Sequence, residues 1–287
     1  SPFSGREGEF HTARQIGDRL NREKKTNIGL RINSNENGSG YIVSGRGELH
    51  LAVLIENMRR EGYEFEVGKP EVILKTIDGE LSEPIEELTA EIDNDFTGVI
   101  VEELGRRKAE MLDSVTNAKN VTRMVFRISS RNALGFRSSI LTKTRGNGIF
   151  ASRLLGYFPV GDVIEQMRNG AIVASDSGTS TAYALESIQK RGNTFVPPGT
   201  AVYEGQIIGL NKRQEDMEMN IAKGKKLTNM RASSADMTVQ LAPPVDLSLE
   251  QCLDFIQDDE LLEVTPKSLR LRKKLLDKNL RNKASKK

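Results

Sequence analysis

The chain has 287 residues, with 42 Lys and Arg against 40 Asp and Glu, a formal net charge of +2, 37% hydrophobic residues and one cysteine. That length supports two or three domains with real cores. One cysteine excludes an internal disulfide and fits a reducing compartment, and no apolar run is long enough to span a bilayer. No signal-peptide pattern opens the chain, so a cytoplasmic protein with no membrane contact is expected. The start, SPFSGREGEF without an initiator Met, suggests a fragment.

The near-zero net charge hides a segregation. Between Lys119 and Arg153 every ionisable residue is basic, and from Pro266 onward only Asp277 opposes the cations. Acids collect over 80–110 and 250–263. Such separation points to a polyanion held on particular faces.

In chain order, 12–24 has a helical apolar face of Ala13, Ile16 and Leu20. The stretch 27–33 alternates as a strand with Ile28, Leu30 and Ile32 on one side, 35–40 is turn chemistry and 41–43 is a second strand. A helix over 48–61 lines up Leu51, Leu54, Ile55 and Met58, and strands follow at 63–67 and 72–77. The order is that of a β-α-β-β-α-β unit without its first strand.

The pattern then repeats. Leu88, Ala90 and Ile92 alternate in a strand. A helix over 96–112 groups Ile100, Val101, Leu104 and Met111. The strand 121–129 sets Met124, Phe126 and Ile128 on one side and Arg123, Val125 and Arg127 on the other, a short helix covers 134–142, and 149–155 is the last strand. In such a split βαβ unit both helices cover one sheet face, and burying Met124, Phe126 and Ile128 at about 1.5–3 kcal/mol each leaves Arg123 and Arg127 on the open face. A merely soluble arginine-rich face is the plain alternative.

Beyond residue 160 the segments 171–174, 200–210 and 237–241 read as strands, and 182–190 as a short helix or strand edge. Ser248 and Gln251 form an S-x-x-Q capping box for a helix through Phe255. Thr265 and Pro266 are expected to open a last helix carrying Leu269, Leu276 and Leu280 on one face and Arg270, Arg272 and Lys273 among its cations. The fold class is therefore α+β: two ferredoxin-like split βαβ domains, 1–78 and 79–160, then a β-rich C-terminal domain, 161–287, with a terminal helix.

Between 210 and 237 the chain leaves that β-rich pattern. The stretch 221–234, IAKGKKLTNMRASS, holds Lys223, Lys225, Lys226 and Arg231 and no acid, with Thr228 and Asn229 as short hydrogen-bonding groups. It has neither strand nor helix period, so it reads as a long loop of cations and donors suited to phosphates and unpaired bases. A solvated loop without a role is the alternative.

Catalytic chemistry is hard to find. His11 and His50 are far apart with no local ligand pattern, no metal spacing exists around one cysteine, and acidic pairs such as Glu86 and Glu87 read as exposed faces. No G-x-x-x-x-G-K-[ST] loop is present; Gly224-Lys225 is followed by Lys226 and Gly68-Lys69 by Pro70.

The segment Ser44-Gly45-Arg46-Gly47-Glu48-Leu49-His50-Leu51, with Arg59-Arg60-Glu61-Gly62, resembles the helix signature of domain III in elongation factor G and its relatives. Glu83-Pro84-Ile85, Arg106-Arg107 and Thr144-Arg145-Gly146-Asn147-Gly148 resemble domain V of the same factors. Arg191-Gly192, Pro198-Gly199, Val202-Tyr203-Glu204-Gly205, Lys226-Leu227-Thr228-Asn229-Met230-Arg231 and Glu263-Val264-Thr265-Pro266 are similar to the C-terminal domain of the BipA/TypA family of ribosome-associated translational GTPases. The resemblance implies a full-length GTP hydrolase, with GTP and Mg in a GTPase domain outside this chain and no catalytic residue or cofactor within it. It implies action in large-subunit assembly and under stress or cold, as a monomer whose partners are the ribosome, its proteins, 23S rRNA and A-site tRNA.

On that reading Lys223, Lys225, Lys226, Thr228, Asn229 and Arg231, with Lys212 and Arg213, would contact tRNA or rRNA. Arg123, Arg127, Arg131, Arg137, Lys143 and Arg145 would contact rRNA from the domain V-like part, and Arg272 and Lys273 from the last helix. Fragments of an elongation factor G-like or LepA-like factor and a free-standing RNA-binding protein are the alternatives.

Overall fold

The computed structural model describes residues 1–35, 40–162, 168–224 and 240–284. The chain forms two compact units, one of Ser1–Lys69 with Arg168–Lys287 and one of Pro70–Met167.

In the first unit the N-terminal part runs α1 (Ala13–Thr26), β1 (Arg31–Ser34), β2 (Tyr41–Ser44), α2 (Glu48–Arg60) and β3 (Phe65–Val67). Thr12 caps α1 in a reciprocal box with Gln15, which satisfies two otherwise orphan groups. Leu20, Leu30, Ile32, Leu54, Met58 and Tyr63 form a core under the β1–β2 pair. Ile28 lies before the strand at 95% exposure, so the expected alternation begins only at Leu30.

The second unit runs β4 (Lys75–Ile77), β5 (Glu80–Asp93), α3 (Thr97–Arg106), β6 (Glu110–Thr116), β7 (Val121–Ser129), α4 (Ser130–Ala133), α5 (Phe136–Lys143) and β8 (Ile149–Pro159). The main antiparallel sheet has the order β8-β5-β7-β6, and β4 adds a hairpin to the start of β5. Leu88, Ala90 and Ile92 from β5 and Met124, Phe126 and Ile128 from β7 pack on Ile100 and Leu104 of α3 and on Phe136 and Ile140 of α5. This is the helix-covered face expected of a split βαβ unit. The helix expected to reach 112 stops early: Lys108 turns left-handed at φ 55°, and Met111 lies on β6 at 44% exposure. That strand supplies the fourth member of the sheet.

The first unit continues with β9 (Ala171–Ala174), β10 (Gly178–Thr179), α6 (Ala182–Gln189), β11 (Gly192–Thr194), β12 (Ala201–Val202), β13 (Ile207–Asn211), β14 (Met217–Met219), α7 (Leu249–Phe255), β15 (Glu260–Val264), β16 (Leu269–Lys273) and α8 (Lys278–Ala284). The sheet β11-β13-β9-β14 has β9 inside it, between β13 and β14. β9 is buried on both sides: Ala171 and Val173 face a core with α7 and β15, while Ile172 and Ala174 face one with Leu185, Ile188 and Ile221. Ser248 and Gln251 form the capping box of α7.

A second sheet, β16-β15-β3, includes a strand from the N-terminal part. The long last helix expected from Thr265-Pro266 does not form. Thr265 Oγ1 instead accepts from the backbone N of Lys267 and Ser268 at 3.3 and 2.8 Å, closing a turn between β15 and β16. The Leu269/Leu271 alternation belongs to a strand, and the helix begins only at Lys278.

Candidate nucleic-acid interface

The open face of the β8-β5-β7-β6 sheet shows Arg123 and Arg127, as burial of their neighbours requires. The register decides what they meet. Glu91 stands opposite Arg123, and Glu87 stands between Arg127 and Arg153. Glu110 flanks Arg127 on the other side, and Asp113 lies opposite Val125. Arg153 Nε reaches Glu87 Oε1 at 2.8 Å, Arg123 Nε lies 3.7 Å from Glu91 Oε1, and Arg127 stacks on Phe158 at 4.8 Å. Arg123, Arg127 and Arg153 thus share the face with Glu87, Glu91, Glu110 and Asp113, which leaves it no cationic excess.

Two further cations of this unit are held internally. Arg131 Nε donates to Glu83 Oε2 at 2.7 Å, and that carboxylate is 2% exposed. Lys143 Nζ reaches Glu103 Oε2 at 2.5 Å, while Arg107 Nε takes the other oxygen at 2.9 Å. Burial pushes the Glu103 carboxyl up, but the hydrogen bonds from Lys143 and Arg107 outweigh it and hold the group below its ordinary range. These bonds correct the expectation for Arg131 and Lys143, because a cation serving a buried carboxylate leaves it orphaned if drawn to phosphate. Arg137 and Arg145 are exposed and have no ion-pair partner among the described residues.

In the other unit, α6 organises the surroundings of the expected loop. Thr181 caps α6 by accepting from Ala184 N at 3.1 Å, and the same hydroxyl donates to the Lys223 carbonyl at 2.7 Å. Ile221 is fully buried, and its carbonyl accepts from Thr181 N. At the far end of α6, the Gln189 side chain exchanges two hydrogen bonds with the backbone of Ala242. The chain thus leaves from one end of an eight-residue helix and rejoins its other end, about 12 Å away by helical rise. Lys225, Lys226, Thr228, Asn229 and Arg231, as well as the expected strand 237–241 up to 239, lie outside the described residues.

A cavity of about 310 Å³ opens between α6 and β14, lined by Tyr183, Arg191, Met217, Glu218, Asn220 and Lys223 among others. Arg191 makes one side-chain contact, to Met217 Sδ at 3.6 Å, and no ion pair among the described residues; Lys223 likewise has none. Lys212 is exposed with its Nζ 3.4 Å from the Lys190 carbonyl, and Arg213 is exposed. Glu218 is the one acid in the lining, and α8 answers it, with Lys278 Nζ at 2.6 Å and Arg281 Nη2 at 2.8 Å. Burial raises the Glu218 carboxyl, but these two bonds hold it below its ordinary range. Tyr183 and Arg191 escape a reading of sequence as site residues, since an exposed aromatic on a helix is recognisable only once the buried face, Ala184, Leu185 and Ile188, is known.

Arg272 and Lys273 require the clearest correction. They lie on β16, at side-chain exposures of 9% and 3%. Arg272 donates to Glu66 at 2.6 Å and faces Glu263 at 3.2 Å. Lys273 Nζ lies within 2.5–2.9 Å of Asp216, Asp259 and Glu260. They hold strands together and are not available to RNA. A larger cavity of about 910 Å³ in the same unit carries Arg6, Arg59, Arg60, Lys267 and Arg270 in its lining, but Glu56 binds both Arg59 and Arg60, and Glu7 and Glu263 bind Arg270. His50 is engaged through Asn27 at 2.8 Å and the Arg46 backbone at 3.2 Å, so it has a packing role.

The split βαβ unit, and the sheet β11-β13-β9-β14 with α6 beside it, can be set against known families. Residues 80–168 match the elongation factor G C-terminus, and residues 169–278 match the TypA/BipA C-terminal domain. The chain is 47% identical over 273 residues to a Synechocystis protein named large ribosomal subunit assembly factor BipA, covering 95% of this chain and 46% of the relative. Proteins of the same name from Bacillus subtilis and Salmonella typhimurium are 44% and 47% identical over 100% and 99% of the chain, and 47% of each relative. The chain therefore spans under half the length of these curated relatives, and within it residues 169–278 belong to the TypA/BipA C-terminal domain family.

Proposed function

We propose that this chain is the ribosome-binding part of a cytoplasmic, monomeric, GTP-hydrolysing factor that acts in assembly of the large ribosomal subunit. The names of its relatives support that reading. GTP and Mg would be bound by a domain outside this chain, since no phosphate-loop spacing occurs in it. The parsing into 1–78, 79–160 and 161–287 belongs to the same proposal, as does action under stress or cold. No helix among the described residues is long and apolar enough to cross a membrane.

The observation that carries the proposal is the set of cations around α6 that have no acid partner among the described residues: Lys223, Arg191 and Arg213, at the root of a sequence holding Lys225, Lys226 and Arg231. These, with Lys212, Thr228 and Asn229, would contact 23S rRNA and an A-site tRNA. Arg137 and Arg145 would add rRNA contacts from the other unit, whereas Arg123 and Arg127, flanked by Glu91, Glu87 and Glu110 on their own sheet, would add none until freed. The test is co-sedimentation with large subunits over a salt series. Lys225→Ala with Lys226→Ala should weaken association and flatten the salt dependence by about two units of slope, at roughly 0.9 for each phosphate no longer neutralised. Unchanged sedimentation at moderate salt would refute the assignment.

A further inference from the structure

The cavity between α6 and β14 has three properties that belong together in one kind of binder. It measures about 310 Å³, at the small end of the roughly 300–1,000 Å³ range of ligand pockets. Tyr183 stands in its wall at 43% exposure, with no hydrogen bond to its hydroxyl among the described residues. Arg191 and Lys223 stand in the same lining without carboxylate partners among those residues. The single acid there, Glu218, is neutralised from behind by Lys278 and Arg281 of α8, neither of which enters the lining. The result is a small cationic recess with an aromatic ring in its wall.

We propose that this recess takes one unpaired nucleotide of single-stranded RNA, its base stacked on Tyr183 and its flanking phosphates held by Arg191 and Lys223. The chemistry selects this ligand. A phosphate alone needs no aromatic wall, and a duplex keeps its bases stacked inside and offers only backbone to the cations. Stacking on Tyr tolerates any base, so the recess reads strandedness rather than sequence. α8 serves as an electrostatic back plate: without its two cations the Glu218 carboxylate would repel the incoming phosphates. The inference rests on the RNA-binding reading above and adds to it a particular recess, a ligand size and a role for α8.

The test titrates the full chain with single-stranded oligouridine of about 12 nucleotides, within the usual 4–16 nucleotide footprint, and with an RNA duplex of equal length. The single strand is expected to bind more tightly. Tyr183→Leu should weaken it about tenfold while leaving the duplex unchanged, and Tyr183→Phe, which keeps the ring, should bind like the parent. Arg191→Gln should lower the salt slope by about one. Lys278→Ala with Arg281→Ala should weaken the single strand although neither side chain lines the recess. Tyr183 is half-exposed, so its variants should melt with the parent. If neither RNA binds in a salt-dependent way, the functional reading falls together with the recess. If both bind equally, or if Tyr183→Leu binds like the parent, the functional reading stands and the recess is refuted.

Discussion

The sheet face of Pro70–Met167 and the recess beside α6 both collect cations, and they end in opposite electrical states. On the sheet, antiparallel pairing sets residues of neighbouring strands side by side, and the register brings Glu87 and Glu91 against Arg153 and Arg123. Cross-strand pairs of opposite charge stabilise a sheet, and they also consume its charge. In the recess the cations belong to a helix end and a loop root, where no neighbouring strand dictates a partner. Its one carboxylate is answered by α8, and Arg191 and Lys223 keep their charge unanswered among the described residues. A basic stretch of sequence thus keeps its charge only where the fold does not pair it with acids.

The largest expected effect separates two neighbours on one strand end. Lys273 is buried among three carboxylates, and its ammonium keeps its proton because their attraction exceeds the cost of burial. Lys273→Ala should destabilise its unit by about 3–5 kcal/mol, because the fully buried Glu260 is left with Arg168 as its one cation among the described residues, beside the Gln257 backbone N–H. The exposed Lys274→Ala should fall within about 0.5 kcal/mol of the parent. Urea unfolding measures both, and equal midpoints would show that burial does not sort these cations.

Glu103 tests the same rule in the other unit. Glu103→Gln removes the charge shared by Arg107 and Lys143 and should cost roughly 2–3 kcal/mol. The folded-state carboxyl is held below its ordinary value of 4.5, so its stabilisation is complete above that value and is lost as pH falls through the depressed one. An acid titration of unfolding should therefore show a shallower loss of stability below pH 4.5 in the variant than in the parent. Parallel curves would mean that Glu103 carries no linkage.

Much of this organisation was legible in the sequence, and the misses share a cause. The α7 capping box and the inward row Met124, Phe126 and Ile128 follow from local rules. The Thr265-Pro266 pair satisfies the same local hydrogen bonds in a turn as at a helix start, so only the alternation of Leu269 and Leu271 could have told strand from helix. β6 was hidden because Met111 continues the helical spacing of Ile100 and Leu104, and the stop at Lys108 carries no glycine. The fate of the cations was least legible. Arg272 meets Glu66, 206 residues away in sequence, and no composition or period reports such a pairing.

Thr181 couples fold and recess at a smaller scale. Its hydroxyl caps α6 and also holds the Lys223 carbonyl. Thr181→Val keeps the shape and should cost about 1 kcal/mol, the usual value of an N-cap, while weakening RNA binding through the loosened loop root. Thr181→Ser should restore both. If the valine variant lost stability but bound RNA normally, Lys223 would not need its anchored position.

The effect on stability is smallest, and the comparison sharpest, on the open sheet itself. Glu87 and Glu91 are the carboxylates that meet Arg153 and Arg123 there. If pairing is what silences those arginines, Glu87→Gln with Glu91→Gln frees them. The salt slope of RNA binding should then steepen by up to about two, at roughly 0.9 for each phosphate newly neutralised. The single variant Arg123→Ala, made in the parent, should leave that slope unchanged. The opposite pattern, no gain from the double variant and a shallower slope from Arg123→Ala, would mean that the arginines already exchange Glu91 and Glu87 for phosphate. In that case cross-strand pairing would hold the cations in position for RNA instead of neutralising them, and the electrical contrast between sheet and recess would vanish once RNA is bound.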